Sequence, residues 1–272
     1  MNILEKIVAH KRTEVAAAKA GRNQRDFEKD ILFSRPTLSL AGALRHADMP
    51  GIIAEFKRQS PSKGTINAQV KPEVVTAGYT AAGAKGLSVL TDTTFFGGTF
   101  DDFSKARAAN QGTPMLRKDF MVDEYQLFEA KSLGADVILL IAACLSPDEV
   151  RFLARKAHDL KLEVLLEVHD AEELDKTLCD DVDMVGVNNR NLKTFATSID
   201  TSLELAEAIP DSFVKISESG LQDAETILDL YRHGFQGFLI GETFMKTSDP
   251  AAALEVVQKA LSLSINHKSS LV

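Results

Sequence analysis

The 272-residue chain is predicted to be an α/β protein, a (β/α)8 barrel with a helical extension at its N-terminus. Three observations carry that prediction. From Ile52 onward, short apolar or β-branched runs alternate with stretches of helical periodicity, and they do so eight times. The runs start about 26 residues apart, which suits a strand, a crossover helix and two loops. The turn after the first run reads Arg58-Gln59-Ser60-Pro61-Ser62-Lys63-Gly64, where an open doubly wound sheet, the structural alternative, would place a glycine-rich turn.

Taken in order, Ile3-Leu4-Glu5-Lys6-Ile7-Val8, continuing to Val15 and Ala18, puts an apolar stripe on one face of a helix. Ser34-Arg35-Pro36-Thr37 breaks the chain before a short second helix over Leu40 to Leu44. Residues 1–48 therefore read as a lid or end cap packed over the barrel, and residues 49–272 as the barrel itself. The strands are expected at Ile52–Lys57, Gly86–Thr91, Pro114–Lys118, Asp136–Ile141, Glu163–Val168, Met184–Asn188, Phe213–Ser217 and Gly237–Gly241. Helices are expected between them, among others at Lys71–Ala82, Asp123–Leu133, Pro147–Leu160, Ala171–Leu178, Asp223–Arg232 and Pro250–Leu261. Ser146-Pro147 supplies an N-cap and an N1 proline, while Gly134 and Gly234 sit where a left-handed C-cap is wanted.

Composition excludes several function classes. With 44% hydrophobic and 26% charged residues the chain is an ordinary globular protein, not a disordered or collagen-like one. Its net charge of −8 gives no overall attraction for nucleic acid or anionic membranes, although a local basic pocket could still take an anionic small molecule. The longest apolar run, Ala135 to Leu145, contains Asp136 and is too short for a membrane span. Met1 to His10 mixes charged and apolar residues, unlike a secretory signal, and Cys144 and Cys179 read as reduced thiols, so a cytoplasmic protein is expected. No histidines or cysteines have metal-site spacing, and no metal is assigned.

In such barrels the chemistry lies at the C-terminal ends of the strands. Strand one ends Glu55-Phe56-Lys57, and alternation gives Glu55 and Lys57 one face; if Phe56 meets the helices, both charges enter the mouth. Strand three ends with Lys118, strand five with Glu167, strand six with Asn188, and strand seven runs into Glu218. Two lysines and three carboxylates gathered at one mouth are costly to desolvate, and such neighbours shift each other's pKa values toward use as acids and bases. Asp119 and Arg190 fit structural ion pairs at the rim equally well, and His169, past a strand end, is expected to be exposed. Ser219-Gly220 and Gly241-Glu242 form small turns after strands seven and eight, where barrels commonly hold a phosphate. Ser60 and Lys57 become neighbours of that corner once the barrel closes.

The strand ends together resemble the indole-3-glycerol phosphate synthase family. The resemblance runs over essentially the whole chain: Leu4-Glu5-Lys6-Ile7-Val8 with Lys11 and Glu14-Val15; Ile53-Ala54-Glu55-Phe56-Lys57-Arg58 with Ser60-Pro61-Ser62; Leu116-Arg117-Lys118-Asp119-Phe120; Leu166-Glu167-Val168-His169; Gly186-Val187-Asn188-Asn189-Arg190-Asn191-Leu192; Ser217-Glu218-Ser219-Gly220; and Leu239-Ile240-Gly241-Glu242.

The resemblance implies ring closure of 1-(2-carboxyphenylamino)-1-deoxyribulose 5-phosphate, with loss of carbon dioxide and water, in tryptophan biosynthesis. It implies Lys118 as the acid at the ketone oxygen, Lys57 and Glu167 as the groups handling dehydration, and Glu55 as the residue that orients the lysines. Asn188, Arg190, Glu218 and Ser219 match residues around the substrate's polar groups, and Ser60, Lys57, Gly220, Gly241 and Glu242 match the phosphate site. Phe96, Phe120 and Leu139 are candidates for the floor under the aromatic ring. No cofactor is implied, and the enzyme is expected to act on a small phosphorylated molecule as a monomer or weak homodimer. At Glu242 some members carry a small hydroxyl residue; a carboxylate turned inward there would weaken phosphate binding, and one turned away would not. If the extension is only a lid, deleting residues 1–48 raises KM and leaves a barrel that folds. Phosphoribosylanthranilate isomerase, the nearest rival, needs a cysteine where strand one here has Lys57; a silent phosphate binder would have no use for Lys118 and Glu167.

Overall fold

The computed structural model describes residues 3–191 and 194–269, with side chains through Ile265, so Leu192 lies outside the described residues. Eight parallel strands close into a barrel: β1 (Gly51–Phe56), β2 (Gly86–Leu90), β3 (Met115–Lys118), β4 (Val137–Ile141), β5 (Glu163–Val168), β6 (Met184–Asn188), β7 (Val214–Glu218) and β8 (Gly237–Ile240). Each pairs with its neighbours in sequence, and β8 closes the ring on β1 with Ile53 opposite Leu239. The observed ends fall within one residue of the sequence expectation.

Alternation along the strands sorts the core into two layers. Ile52, Ala54 and Phe56 of β1 point outward into the ring of helices, where Phe56 joins the apolar cluster containing Val75 and Tyr79. Ile53, Leu116, Val137, Leu139, Leu165, Met184, Val214, Ile216 and Leu239 fill the interior. Because Phe56 is spent on the helix side, Glu55 is directed inward, as the alternation requires.

The crossover helices include α3 (Pro72–Ala81), α5 (Tyr125–Ser132), α6 (Pro147–Asp159), α7 (Ala171–Thr177), α9 (Ala224–Arg232) and α10 (Pro250–Ser269), numbered with α1 and α2 of the extension and with α4 and α8 below. Ser146 caps α6 in a reciprocal capping box with Glu149, and Gly134 and Gly234 adopt the left-handed conformation expected of them. Two helices lacked a legible pattern: α4 (Phe100–Ala109) buries Asp102 and Arg107 alongside Phe103 and Ala106, which blurs its apolar stripe, and α8 (Asp200–Leu205) is short and has no side-chain cap.

The extension grips both ends of the barrel. Helix α1 (Ile3–Gly21) lies across the C-terminal mouth, to which Ile3, Leu4 and Ile7 contribute. Its Lys11 is 1% exposed and sits 3.0 Å from both Asp92 and Asp119, on the loops after β2 and β3. Helix α2 (Leu40–Arg45) goes to the opposite end, where Leu40 and Leu44 are buried among the interior residues. The strands open with glycine to admit them: a Cβ on Gly86 would lie 2.4 Å from Leu40, and one on Gly51 would lie 2.4 Å from Leu44. Part of the stretch expected as a lid or end cap is thus a plug in the barrel floor. Among the described residues no helix is long and apolar enough to cross a membrane.

Candidate active site

The C-terminal ends of the strands surround a cavity of about 300 Å³. One side is apolar, with Phe96, Phe120 and Leu139 joined by Ile7 of α1, and the rings of Phe96 and Phe120 meet at a tilt with centroids 6.0 Å apart. The other side carries charge. Lys118, at the end of β3, reaches across the mouth to Glu167 on β5 and Glu218 on β7, with Nζ 3.2 Å and 2.5 Å from the two carboxylates. Lys57 pairs with Glu55 at 2.8 Å, and Ser88 on β2 donates to the second Glu55 oxygen at 3.3 Å. Asn188 donates to Glu167 Oε1 at 3.0 Å.

Two glycines make room for these carboxylates. A Cβ on Gly186 of β6 would lie 2.4 Å from Glu218 Oε1, and one on Gly241 would lie 2.5 Å from Glu55 Oε1. Both clashes involve buried groups with nowhere to retreat. Gly241 therefore leaves room for the carboxylate of Glu55 beneath it.

The corner that sequence patterning marked for phosphate is assembled from the loops after β1, β7 and β8. Ser60, Ser219, Gly220, Gly241 and Glu242 all line the cavity, together with Lys57 and Arg190. Ser219 and Gly220 are consecutive left-handed residues, with φ of 68° and 75°. Glycine holds that conformation freely; serine is held in it, and buried Asn189 donates to the Ser219 carbonyl at 3.1 Å. Asn189 also donates to Ser217 and accepts from Ser202, so this side chain, read from sequence only as part of a motif, fixes the turn. Glu242 turns neither away nor into empty space: its carboxylate lies 3.5 Å from Arg190 and 3.4 Å from Lys63. Arg190 also donates to Ser62 at 2.6 Å. Ser62 and Lys63 lie on the loop after β1, where the sequence assigns a role to Ser60 and to neither of these.

Electrostatics separates the roles of the charged groups. Burial disfavours the Lys118 ammonium, yet Glu218, Glu167 and Glu55 together drive its pKa well above the ordinary lysine value, so it is a protonated donor at neutral pH. Burial likewise works against an ionised Glu167, but Lys118, His169 and Asn188 hold it below the usual carboxylate range. Glu55 is kept ionised against burial by Lys57 and Lys118. Glu218 goes the other way: burial, with Glu167 nearby and Lys118 only partly offsetting, lifts it to about 7. One mouth thus holds a fixed acid, a fixed base and a carboxyl that changes state near neutrality, all beside an apolar wall. This set can protonate an oxygen, remove a proton and stabilise a developing cation within a single cavity.

Two residues depart from expectation or resolve an open reading. His169 is not exposed: its side chain is 10% exposed, with Nε2 3.5 Å from Glu167 and Nδ1 3.1 Å from Glu173. A residue just past a strand end normally meets solvent, but α7 starts at once and folds Glu173 back over the ring. Asp119 is structural, tied to Lys11, to Arg117 at 3.0 Å and to Thr91 at 2.6 Å.

Comparison with known proteins agrees with this geometry. A family model described as indole-3-glycerol phosphate synthase matches residues 4–257. An indole-3-glycerol phosphate synthase of Bacteroides thetaiotaomicron is 48% identical over 260 residues, covering 96% of this chain and 99% of that protein. One of Bordetella pertussis is 41% identical over 256 residues, covering 93% and 97% respectively. Among solved structures, 3-hexulose-6-phosphate synthase from Salmonella typhimurium superposes with a TM-score of 0.61 at 12% identity, covering 78% of this chain and 99% of that one. Tryptophan synthase subunit alpha from Legionella pneumophila does so with a TM-score of 0.60 at 13% identity, covering 84% and 97%. The structural likenesses establish the barrel; the sequence matches go further, and the chain belongs to the indole-3-glycerol phosphate synthase family.

Proposed function

We propose that this mouth carries out the family's reaction, closing the indole ring of 1-(2-carboxyphenylamino)-1-deoxyribulose 5-phosphate with loss of carbon dioxide and water, and that Lys118 is its principal acid. The observation that carries the proposal is the placement of the Lys118 ammonium between Glu167 and Glu218, with Phe96, Phe120 and Leu139 on one side and the Ser219-Gly220 turn on the other.

The substrate's phosphate enters the corner formed by Ser60, Ser219, Gly220, Gly241 and the backbone of Glu242, and its aromatic ring lies on the apolar wall. Held at both ends, the flexible chain brings the ring carbon against the ketone, which removes most of the entropic barrier to cyclisation. Lys118 donates its proton to the ketone oxygen as the carbon–carbon bond forms. The cyclised cation accepts the electrons released when carbon dioxide departs. Lys57, steadied by Glu55, then protonates the leaving hydroxyl, while Glu167, aimed by Asn188, removes the proton whose loss with that water completes the five-membered ring of the indole. Arg190 holds an anionic group of the substrate, and Glu218 governs the charge seen by Lys118. Each well-placed acid or base contributes roughly 10²–10⁴-fold.

The test is incubation of the purified protein with this substrate while following indole fluorescence: the product appears if the reading is right, and its absence with bound substrate overturns it. The same reading places the enzyme in the cytoplasm as a monomer or weak homodimer, which fractionation and sedimentation across a concentration series check.

A further inference from the structure

His169 is a titratable residue beside the mouth to which the reaction above gives no task. It follows β5 directly, and alternation puts it on the face of Glu167. Its backbone N–H donates to Glu173 Oε2 at 2.8 Å, and its ring Nδ1 lies 3.1 Å from the same oxygen. Glu173 thereby fixes Nδ1 as the proton-bearing nitrogen. The other nitrogen, Nε2, is buried, has no hydrogen-bond partner and faces Glu167 Oε1 at 3.5 Å. That carboxylate oxygen already accepts from Asn188.

A neutral ring would set the lone pair of a buried nitrogen against a carboxylate oxygen, whereas a protonated ring presents an N–H to it. The surroundings favour the charged form. Glu167 faces the ring from β5, Glu173 from α7 and Glu218 from β7, and together they keep the imidazole protonated to higher pH although burial opposes it. Cys144, on the turn after β4, carries no charge here, because burial and the same carboxylates Glu167 and Glu173 push its thiol up; Arg12 of α1 is a cation near that thiol, and Lys118 of β3 pairs with the Glu167 carboxylate itself.

We propose that His169, held by Glu173, is a positioning residue for Glu167: an imidazolium that keeps this carboxylate ionised and aimed across the barrel mouth. The proposal rests on the reading of Glu167 as the base. His169 sits behind Glu167 rather than among the cavity-lining residues, so it acts through the carboxylate and not on substrate. The pair has a structural side as well, because Glu173 reaches back to the backbone ahead of α7 and steadies that helix start. A purely structural role would leave the ionisation of Glu167 untouched, which is what separates the two.

The experiment uses the full chain and the variants His169→Gln, which keeps a donor without the charge, Glu173→Gln and Glu167→Gln. For His169→Gln we expect kcat to fall severalfold with KM unchanged, and the acidic limb of the kcat/KM profile to move up by about 1 pH unit, since Glu167 has lost an adjacent cation. Proton NMR of the His169 ring should give a midpoint above the ordinary histidine value in the wild type and a lower one in Glu173→Gln. An acidic limb that stays in place in an active His169→Gln, with Glu167→Gln inactive, overturns the proposal alone. Retained turnover in Glu167→Gln overturns the base assignment and this proposal with it. If His169→Gln fails to fold, the NMR midpoint in the wild type decides: a value at or below the ordinary one is contradictory.

Discussion

The Lys118 ammonium lies between two carboxylates, 3.2 Å from Glu167 and 2.5 Å from Glu218, and the two respond oppositely. Glu167 also has Asn188 and His169 beside it and stays ionised; Glu218 has a buried oxygen without a hydrogen-bond partner and is lifted to about 7. A single cation cannot fully compensate both, and the local hydrogen bonds decide which carboxylate carries the charge.

That imbalance links stability to pH. The folded-state pKa of Glu218 stands at about 7 against an ordinary 4.5, so the folded protein binds the extra proton between those values, and stability falls as pH rises through about 7. Glu218→Gln removes the buried charge. It should raise stability near pH 8 and change it little near pH 4.5, while lowering turnover. Thermal unfolding at the two pH values checks this; equal shifts at both would contradict it.

The plug in the barrel floor makes a second prediction. Leu44 is 1% exposed, against the glycines that open β1 and β8. Leu44→Ala should cost about 2–5 kcal/mol through the cavity it leaves, with kcat unchanged in the folded fraction. Deleting residues 1–48 removes the plug along with the lid, so the truncated barrel should not fold, whereas deleting only residues 1–21 should leave a folded protein of raised KM. Denaturant melts and KM values of the two truncations check this.

Lys11 ties α1 to the barrel. It lies within 3.1 Å of Asp92, Asp119 and Glu14. Lys11→Met leaves buried Asp92 without its cation and Asp119 with Arg117 alone, and should destabilise by about 3–5 kcal/mol. It should also raise KM, because Ile3, Leu4 and Ile7 of the same helix border the cavity. A variant with lowered stability and unchanged KM would show that α1 does not cover substrate.

Gly241 joins two parts of the site. In Gly241→Ala the added methyl meets Glu55 Oε1 at 2.5 Å, and Glu55 holds Lys57. We expect kcat to fall and KM to rise together, roughly tenfold or more each, where a residue that only admits phosphate would change KM alone. Steady-state kinetics of the variant distinguish the two.

Much of this was legible in the sequence. The β-branched runs and the glycines behind their helices mark the strands closely, because period and caps are local properties. The inward set of Glu55, Lys118, Glu167, Asn188 and Glu218 follows from alternation once Phe56 is assigned to the helices. What escaped depends on distance across the fold. The sequence of Leu40 to Leu44 does not say which end of the barrel it enters; the three strand-opening glycines are its only signal. The seclusion of His169 comes from Glu173, four residues on, and the engagement of Glu242 comes from Arg190 and Lys63 on two other loops. Gly186 reads as an ordinary strand glycine until Glu218 of the neighbouring strand is placed beside it.

Lys118 performs chemistry in the proposed reaction and is not merely a counter-ion. The direct test compares Lys118→Ala with the wild type in two assays: formation of indole from the carboxyphenylamino-deoxyribulose phosphate, and binding of the unreactive analogue in which the ketone is reduced to an alcohol. Turnover should fall by at least about 10³-fold while the analogue still binds within about tenfold of the wild-type affinity. Turnover that survives the substitution, or binding that is lost in parallel with it, would contradict the assignment.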